Sequence, residues 1–405
     1  MVPNAWGVVE AEEICERISV GIVVRPKDYY VPEGEGIKAF RSANVREGYI
    51  EDKNWTYISE HGNQKNKKSI LKSGDVLVVR TGYPGTACVV TSNYAGSNCI
   101  DLIFARPNQA RVLPEFLCSF TNSEYGKKQI LDGQGGLAQQ HFNVGAFNKL
   151  RVPLPPIAEQ KKIVEILSTW DRAIETAEVL LATARTQKRA LMQTLLTGKR
   201  RFPEFEGQEW REVRLGDVGV FKKGKGLPKT EVGSRGRFPC VLYGELYTRY
   251  GEIIREPVSF TDLDDGVISE PGDVIIPAST TTTGIDLAIA ACVTTRGVRL
   301  GGDINIFRRQ DDQLDGAFLA YFLTHARRHE MARFAQGITI VHLKGSDLLD
   351  LTILMPCMAE QTKILEVFND IETEIRHRAQ QVEKLRTEKK ALMQQLLTGK
   401  RRVQV

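Results

Sequence analysis

The sequence predicts an α+β chain in which two similar α/β modules are joined by two long helices, packed on each other as an antiparallel coiled coil about an internal pseudo-two-fold axis. Two observations carry this prediction. A fifteen-residue phrase occurs twice, as KRALMQTLLTGKRRF ending at Phe202 and as KKALMQQLLTGKRRV ending at Val403. Each copy also ends a stretch of heptad-spaced apolar residues, which is the pattern of helices that wrap around one another.

The repeated unit is longer than its final phrase. A shift of 201 residues places LPPIAEQKKIVEIL, which begins at Leu154, on MPCMAEQTKILEVF, which begins at Met355. About 22 of the 48 positions aligned from Pro155 to Phe202 are identical, mostly at the two ends of the segment. The chain is therefore divided into two globular segments and two helical segments, which are residues 1–154, 155–200, 201–354 and 355–405.

Each helical segment carries its own start and stop signals. Pro155 and Pro156 suit a first helical turn, and Glu159 lies near the positive end of the helix dipole. Gly198 and Gly399 suit the left-handed C-terminal cap, and basic residues follow each of them. Each helix is expected to run for about 40 residues, or about 60 Å.

The apolar residues of each helical segment recur at steps of three and four, with the mean spacing of 3.5 that is typical of a coiled coil. Exposed alone, these stripes would be sticky, so the simplest prediction is that they bury each other. Lys188 and Lys389 break the two stripes at the same position of the repeat. They either extend their charged ends to water or fix the register of the pair. The stripe residues are Ile163, Leu167, Trp170, Ile174, Leu181, Leu191, Leu195, Ile364, Phe368, Ile371, Ile375, Val382, Leu385, Leu392 and Leu396.

The globular segments contain short β-rich runs that are cut by glycine and proline. SGDVLVVRTGYPGTACVV, from Ser73, predicts a strand, a turn and a strand, and PGDVIIPASTTTTGIDLAIAACV, from Pro271, is its counterpart. QGGLAQQHFNVGAF, from Gln134, aligns in the same way with AQGITIVHLKGSDL, from Ala335. The two modules share a frame and differ in their loops, as expected of two domains that bind different targets.

Composition and charge limit the functional class. A chain of 405 residues is too long for one hydrophobic core, and its apolar runs fall far short of the roughly 20 residues that a membrane helix needs. The N-terminus has no export-signal pattern. Seven cysteines occur singly, as expected in a reducing cytoplasm and not of a disulfide frame or a zinc site. The net charge of +5 permits a nucleic-acid partner without requiring one.

The order of these segments resembles the specificity subunit of type I restriction-modification systems. A globular module, an LPPxAEQxKIxExL helix start and an ALMQxLLTGKRR helix end follow one another twice, so the resemblance covers essentially the whole chain. It implies that each module is a target recognition domain for one half of a split, asymmetric site in double-stranded DNA. It also implies that the helices hold the modules apart and dock two methyltransferase (modification) subunits, which restriction (translocase) subunits join. S-adenosylmethionine for adenine methylation, ATP and magnesium are then expected in those partner subunits, and no cofactor in this chain.

The sequence indicates the DNA-contacting residues of the first module only weakly. Arginine and glutamine are favoured because their side chains can pair bidentately with guanine and adenine, respectively. An ordinary polar turn is the alternative for each single residue. The candidates are Arg80, Thr81, Tyr83, Gln139, Gln140 and His141.

In the second module, lysines gather on the glycine-rich stretch FKKGKGLPKT, which begins at Phe221, and they could hold phosphates. Two arginines in SRGR and a threonine run are further candidates. A solvated charged loop explains the lysines nearly as well. The candidates are Lys222, Lys223, Lys225, Lys229, Arg235, Arg237, Thr281 and Thr282.

No catalytic motif is recognisable. GKGLPKT, from Gly224, lacks the G-K-[ST] order of a phosphate loop, and His325 and His329 lack the glutamate of a zinc-protease motif. The LPPI sequence lacks the residue that an adenine methyltransferase carries before its prolines. We therefore expect no catalytic residue and no metal in this chain. Two alternatives stay open: a coiled-coil scaffold whose modules bind proteins, and a DNA-modifying enzyme that acts alone.

Overall fold

The computed structural model describes residues 3, 6–132 and 142–404. The chain divides into two compact units. Unit 1 comprises Met1–Val179 and Ala379–Val405, and unit 2 comprises Leu180–Arg378. Each unit therefore contains one globular module together with one half of each long helix.

The globular module of unit 1 is built mainly from short strands. Its strands are β1 (Gly7–Glu10), β2 (Cys15–Val20), β3 (Tyr30–Val31), β4 (Ile37–Phe40), β5 (Thr56–Ile58), β6 (Val76–Val79), β7 (Ala87–Val89), β8 (Asn98–Cys99), β9 (Leu102–Pro107) and β10 (Arg151–Leu154). Its helices are α1 (Ala11–Ile14), α2 (Glu60–Lys65), α3 (Pro114–Asn122), α4 (Glu124–Asp132) and α5 (Val144–Asn148), and the long helix α6 (Ile157–Leu195) follows.

The core of unit 1 lies on both faces of the sheet β2-β9-β6-β7, and the sheet β3-β5-β4-β8 is the second layer. Strand β6 is buried along its whole length, and its side chains alternate between the two faces. Val76 and Val78 pack in the cluster that contains α3, whereas Leu77 and Val79 pack in the cluster that faces the second sheet. This strand is thus a continuous apolar run because both of its faces are covered.

The globular module of unit 2 is built from the same kinds of element. Its strands are β11 (Arg211–Arg214), β12 (Gly219–Lys223), β13 (Phe238–Val241), β14 (Ile253–Ile254), β15 (Ser259–Thr261), β16 (Val267–Ile268), β17 (Asp273–Pro277), β18 (Ser279–Thr280), β19 (Ala291–Val293), β20 (Arg299–Leu300), β21 (Ile304–Arg309), β22 (Val341–His342) and β23 (Thr352–Met355). Its helices are α7 (Leu215–Val218), α8 (Glu245–Thr248), α9 (Gly284–Leu287), α10 (Gly316–Tyr321) and α11 (Arg328–Arg333), and the second long helix α12 (Met358–Leu397) follows.

The two modules share one frame, as the repeat predicts. The strand order β2-β9-β6-β7 of unit 1 recurs in unit 2 as β12-β21-β17-β19, to which β14 is added, and β5-β4-β8 recurs as β15-β13-β20. A buried ion pair recurs as well. Asp75 accepts two hydrogen bonds from Arg106, at 2.8 and 2.7 Å, and Asp273 accepts two from Arg308, at 2.9 and 2.7 Å. These aspartates belong to the SGDV and PGDV sequences, so the structure explains why both modules contain Gly-Asp at this point.

The long helices have the predicted length and the predicted glycine caps at their C-terminal ends. They contain 39 and 40 residues, and each is followed by a glycine in the left-handed region, Gly198 at φ +68° and Gly399 at φ +72°. The prediction for the first turn needs a correction, because α6 begins at Ile157. Pro155 and Pro156 lie just before the helix, where the Pro156 carbonyl accepts the first backbone hydrogen bonds.

The halves of α6 and α12 run antiparallel within each unit. In unit 1, Asp171 pairs with Lys389, and Glu178 pairs with Arg386 at 2.5 Å, so the residue number falls along α12 as it rises along α6. In unit 2 the Nζ of Lys188 lies 2.6 Å from Glu372. Every stripe residue is buried or half-buried. The predicted fold class, α+β with two similar modules and two antiparallel helices, is confirmed.

A buried carboxylate fastens the start of α6 in unit 1. Glu159 accepts a hydrogen bond from Nε1 of Trp6 at 3.0 Å and two from Arg402, at 2.6 and 2.8 Å. Burial opposes ionisation of the Glu159 carboxyl, but the hydrogen bonds from Arg402 and Trp6 outweigh it and lower the pKa of Glu159. The arginine that follows the end of α12 thereby holds the beginning of α6.

The same arrangement recurs in unit 2 at the start of α12. Glu360 accepts hydrogen bonds from Trp210 at 3.0 Å and from Arg201 at 2.8 and 2.6 Å. The neighbouring glutamines are also equivalent, because Gln160 accepts from Leu113 N and Gln361 accepts from Asp315 N, each at 2.8 Å. The repeated Ala-Glu-Gln sequence therefore fastens each helix start to the module before it.

Candidate nucleic-acid interface

In unit 2, Asn305 links the strands that lie beside the candidate lysines to the segment that follows β22. Strand β12 places Lys223 opposite Asn305, which is buried in β21. The Asn305 side chain donates a hydrogen bond to the Leu343 carbonyl at 2.7 Å and accepts one from the Gly345 backbone N–H at 3.0 Å. The end of β12, with Lys222 and Lys223, therefore lies beside the segment that contains β22.

Strands β18 and β22 form a two-stranded antiparallel ribbon at this end of the module. Ser279 is paired with His342, and Thr280 with Val341. The Tyr247 hydroxyl supports the ribbon through a hydrogen bond of 3.2 Å to the Ser279 carbonyl.

The threonine run leaves the ribbon in a turn that a hydrogen bond of 2.9 Å between the Thr280 and Thr282 hydroxyls closes. Thr281 and Thr282 are exposed in this turn. We call the exposed residues at this end the ribbon surface. They are Lys222, Lys223, Tyr247, Thr281, Thr282, His342 and Lys344.

The other basic candidates of unit 2 lie elsewhere, beside β15 and the acidic residues after it. The Nζ of Lys225 lies 3.7 Å from Asp265, and the Arg237 backbone N–H donates to Asp262 at 2.9 Å. Lys229 begins a short 3₁₀ turn, and Arg235 is exposed between two backbone contacts with this strand. The charge of Lys225 is thus partly offset by Asp265, which sequence reasoning missed because it weighed the lysines without the acidic run.

In unit 1 the Arg80 side chain is engaged within the protein. Its Nε donates to the Phe142 carbonyl at 3.0 Å, and its Nη1 lies 2.7 Å from Asp101. These two bonds hold the turn, and the contact of Arg80 with a base stays a prediction. Tyr83, by contrast, is 84% exposed. Gln139, Gln140 and His141 lie outside the described residues.

Thr81 lines an open pocket of about 90 Å³ together with Arg41, Ser42, Ile100 and Asp101. The Arg41 side chain forms no ion pair with any described residue and is exposed. The pocket therefore places the donors of Arg41 beside the Asp101 carboxylate, which already accepts a hydrogen bond from Arg80. Sequence reasoning missed Arg41, because nothing in its local sequence marks it.

The two modules carry different charges on equivalent strands. Gly21 and Gly224 occupy the same place after β2 and β12, and a Cβ at either would lie about 2 Å from a backbone carbonyl, of Cys99 or Gly301. The two residues before Gly224 are Lys222 and Lys223, whereas the residues before Gly21 are serine and valine. The two modules thus share the backbone arrangement at this glycine and differ in the side chains of the candidate binding surface beside it.

No metal site is visible in the part of the chain that the structure describes. No three His, Cys, Asp or Glu side chains come together there in a way that could hold an ion. The Nε2 of His325 lies 2.5 Å from Glu252. Burial opposes ionisation of Glu252, but this hydrogen bond from His325 outweighs it and lowers the pKa of Glu252.

Among the described helices, none has the length and apolar character needed to cross a membrane.

Comparison with known proteins agrees with this architecture. The family model described as "Type I restriction modification DNA specificity domain" matches residues 3–182 and 207–385. The type I restriction enzyme MjaVIII specificity subunit of Methanocaldococcus jannaschii is 24% identical over 419 residues, which cover 99% of this chain and 94% of that protein. These matches do not favour the protein-binding scaffold or the enzyme that acts alone.

Solved structures share the fold. A chain from a study of complex assembly and conformational transition of the type I R-M system has a TM-score of 0.66 at 20% identity, with 98% of each chain covered. The HsdS subunit from Thermoanaerobacter tengcongensis has a TM-score of 0.55 at 19% identity, again with 98% of each chain covered. Because the family model matches most of the chain, in two copies, the chain belongs to the type I restriction-modification DNA specificity family.

Proposed function

We propose that this DNA specificity subunit recognises a bipartite, asymmetric site in double-stranded DNA, with residues 1–154 and 201–354 acting as two target recognition domains. One observation carries the proposal: the two modules share a frame and differ in the side chains at equivalent surface positions. Two such modules are suited to recognise two different short sequences, since base-edge contacts by a few side chains determine sequence preference while phosphate contacts position the protein.

The helical segments 155–200 and 355–405 are proposed to set the distance between the two half-sites and to dock two modification subunits. The ion pairs and buried stripe residues of α6 and α12 support this role, because a helix pair held in one register is a rigid spacer. In a two-fold reader of DNA, half-sites lie about one helical turn, or 10 bp, apart.

Catalysis is proposed to reside in the partner subunits. The modification subunits would hold S-adenosylmethionine for adenine methylation, and restriction subunits would use ATP and magnesium to move along and cut unmodified DNA. The complex would work in the cytoplasm, where it meets the host chromosome and incoming phage DNA.

Mapping of methylated adenines in the host genome, with and without this gene, tests the proposal. Methylation at one bipartite motif should disappear when the gene is deleted and return on complementation. A purified complex of this chain with its methyltransferase should also protect that motif in a footprint. An unchanged methylation map together with no site-specific footprint would favour a protein-binding scaffold instead.

A further inference from the structure

The loop before β22 contains an isoleucine whose side chain is almost completely exposed to solvent. Ile338 is 99% exposed and Ile340 is 50% exposed, both within a few residues of the ribbon surface. The loop is closed at its base, because Gln336 and His342 exchange two backbone hydrogen bonds, of 2.9 and 2.7 Å. An isoleucine side chain that stays in water contributes nothing to folding through the hydrophobic effect, so this side chain is free to contact a partner.

The shape of this loop is specified by its sequence. Gly337 has a φ of +128°, and a Cβ at this position would lie 2.0 Å from the Ile340 carbonyl oxygen. Only glycine fits such a site without strain. On the other side of the loop, Val341 is buried in the core of unit 2. The loop is therefore held between a required glycine and a core anchor.

Lysines without an ion-pair partner in the described part of the chain lie in the segments beside the loop. Lys222, Lys223 and Lys344 are exposed and form no ion pair with a described residue. The acidic groups nearby are Asp286, which accepts hydrogen bonds from Thr283, the exposed Asp303, and Asp347, which lies in the 3₁₀ turn after Lys344. An apolar tip with lysines and hydroxyls around it complements a polyanion that also displays methyl groups.

We infer that the loop 336–342 and the β18–β22 ribbon form a specificity-determining element of the second module, in which Ile338 contacts the C5 methyl group of a thymine in the major groove. This inference rests on the proposed function. The major groove admits a two-stranded β-ribbon, and apolar side chains recognise the thymine methyl there. Thr281 and Thr282 supply hydroxyls for base edges, and the lysines supply contacts to phosphates.

The test uses the full chain in complex with its modification subunits and a duplex that carries the methylated motif. Replacing the contacted thymine by uracil removes only the C5 methyl group, and it should weaken binding by about three- to tenfold for the unchanged protein. Ile338→Ala should bind the thymine duplex more weakly by a similar factor, and it should show no further loss with uracil. The same variant should relax sequence preference in one half of the methylated motif only.

Ile268→Ala is the matched control. Ile268 is 51% exposed in the same module, and its carbonyl accepts a hydrogen bond from Arg308, at the far end of β21 from Asn305. This variant should keep the wild-type affinity, the wild-type uracil effect and the wild-type motif. Ile338→Val retains an apolar tip and should lie between wild type and Ile338→Ala.

Three results would overturn the inference. Ile338→Ala with an unchanged motif and an unchanged uracil effect would show that the loop is not a reader. Loss of binding to the modification subunit, with the half-site preserved, would show a protein contact. Binding by the unchanged protein that is unaffected when every thymine of that half-site is replaced by uracil would exclude the methyl contact. The proposed function fails separately, since the unchanged complex would then methylate no specific site at all.

Discussion

At the scale of single residues, two glutamates hold the ends of the long helices to the globular modules. Glu159 and Glu360 are almost fully buried, and an ionised carboxylate in that setting is costly unless it is hydrogen-bonded and paired. Each receives an indole N–H and a bidentate arginine, so both requirements are met. These contacts join the ends of the long helices to the modules, which makes each glutamate a structural residue.

Glu159→Gln should destabilise the protein in a pH-dependent way. The folded-state pKa of Glu159 lies below its ordinary value of 4.5, so its stabilising effect is fully present above pH 4.5 and is lost as the pH falls through the folded-state pKa. Thermal unfolding at several pH values should therefore show the largest difference between variant and wild type near pH 7, of about 2–4 °C in Tm. The difference should shrink below pH 4.5, and a difference independent of pH would contradict this account.

At the scale of elements, the two lysines in the stripes form ion pairs and are not merely extended into water. Lys188 lies 2.6 Å from Glu372, which also accepts a hydrogen bond from Tyr321 at 3.0 Å, and Lys389 pairs with Asp171. Because Asp171 and Glu372 are equivalent in the repeat, the same polar contact occurs once in each unit. Such a contact favours one register of the helix pair over its alternatives.

A charge-reversal cycle tests the register contact. Lys188→Glu should destabilise the protein through repulsion from Glu372, and Glu372→Lys should do so through repulsion from Lys188. The double variant should recover part of the loss, with a coupling of about 1 kcal/mol in denaturant unfolding. The exposed pair Arg378 and Glu374, within α12 itself, is the control and should give about 0.3–0.5 kcal/mol. Strictly additive effects at Lys188 and Glu372 would show that the pair is not coupled.

The helices also predict how the DNA spacer responds to their length. Insertion of seven residues after Val179 and after Gln380 keeps the stripes in phase and lengthens each helix by about 10 Å. At 3.4 Å per base pair, the tolerated spacer should grow by about 3 bp while both half-site sequences stay the same. Methylation mapping measures the result. An insertion in α6 alone should destabilise the pair, and an unchanged spacer in the double insertion would mean that the helices do not set the distance.

At the scale of the whole molecule, the proposed division of labour can be tested by exchange. Replacing residues 205–350 by the corresponding module of a relative should change one half of the methylated motif and leave the other half intact. The shared β11–β23 pairing and the Ala-Glu-Gln contacts at the helix starts give the exchanged module the same attachment. Methylation mapping is again the measurement, and a change in both halves would refute independent recognition.

The repeat made the frame predictable from the sequence, since internal duplication, heptad spacing and glycine caps are all local or periodic features. The roles of Glu159 and Arg402 were not predictable in that way, because 243 positions separate the two partners in the chain. The candidate sites show the same limit. The hydrogen bond from Asn305 to Leu343 and the interactions of Arg80 with Phe142 and Asp101 have no local sequence pattern.

Unit 2 is one continuous stretch of chain, whereas unit 1 is assembled from both ends of the chain. Leu396 and Leu397, near the end of α12, are buried in the core of unit 1 together with Leu167. The ribosome therefore synthesises every residue of unit 2 before it synthesises the residues of α12 that complete the core of unit 1. Unit 2 is thus complete before unit 1, although translation begins with unit 1. A nascent chain that stalls before α12 is finished exposes an apolar core to chaperones and proteases.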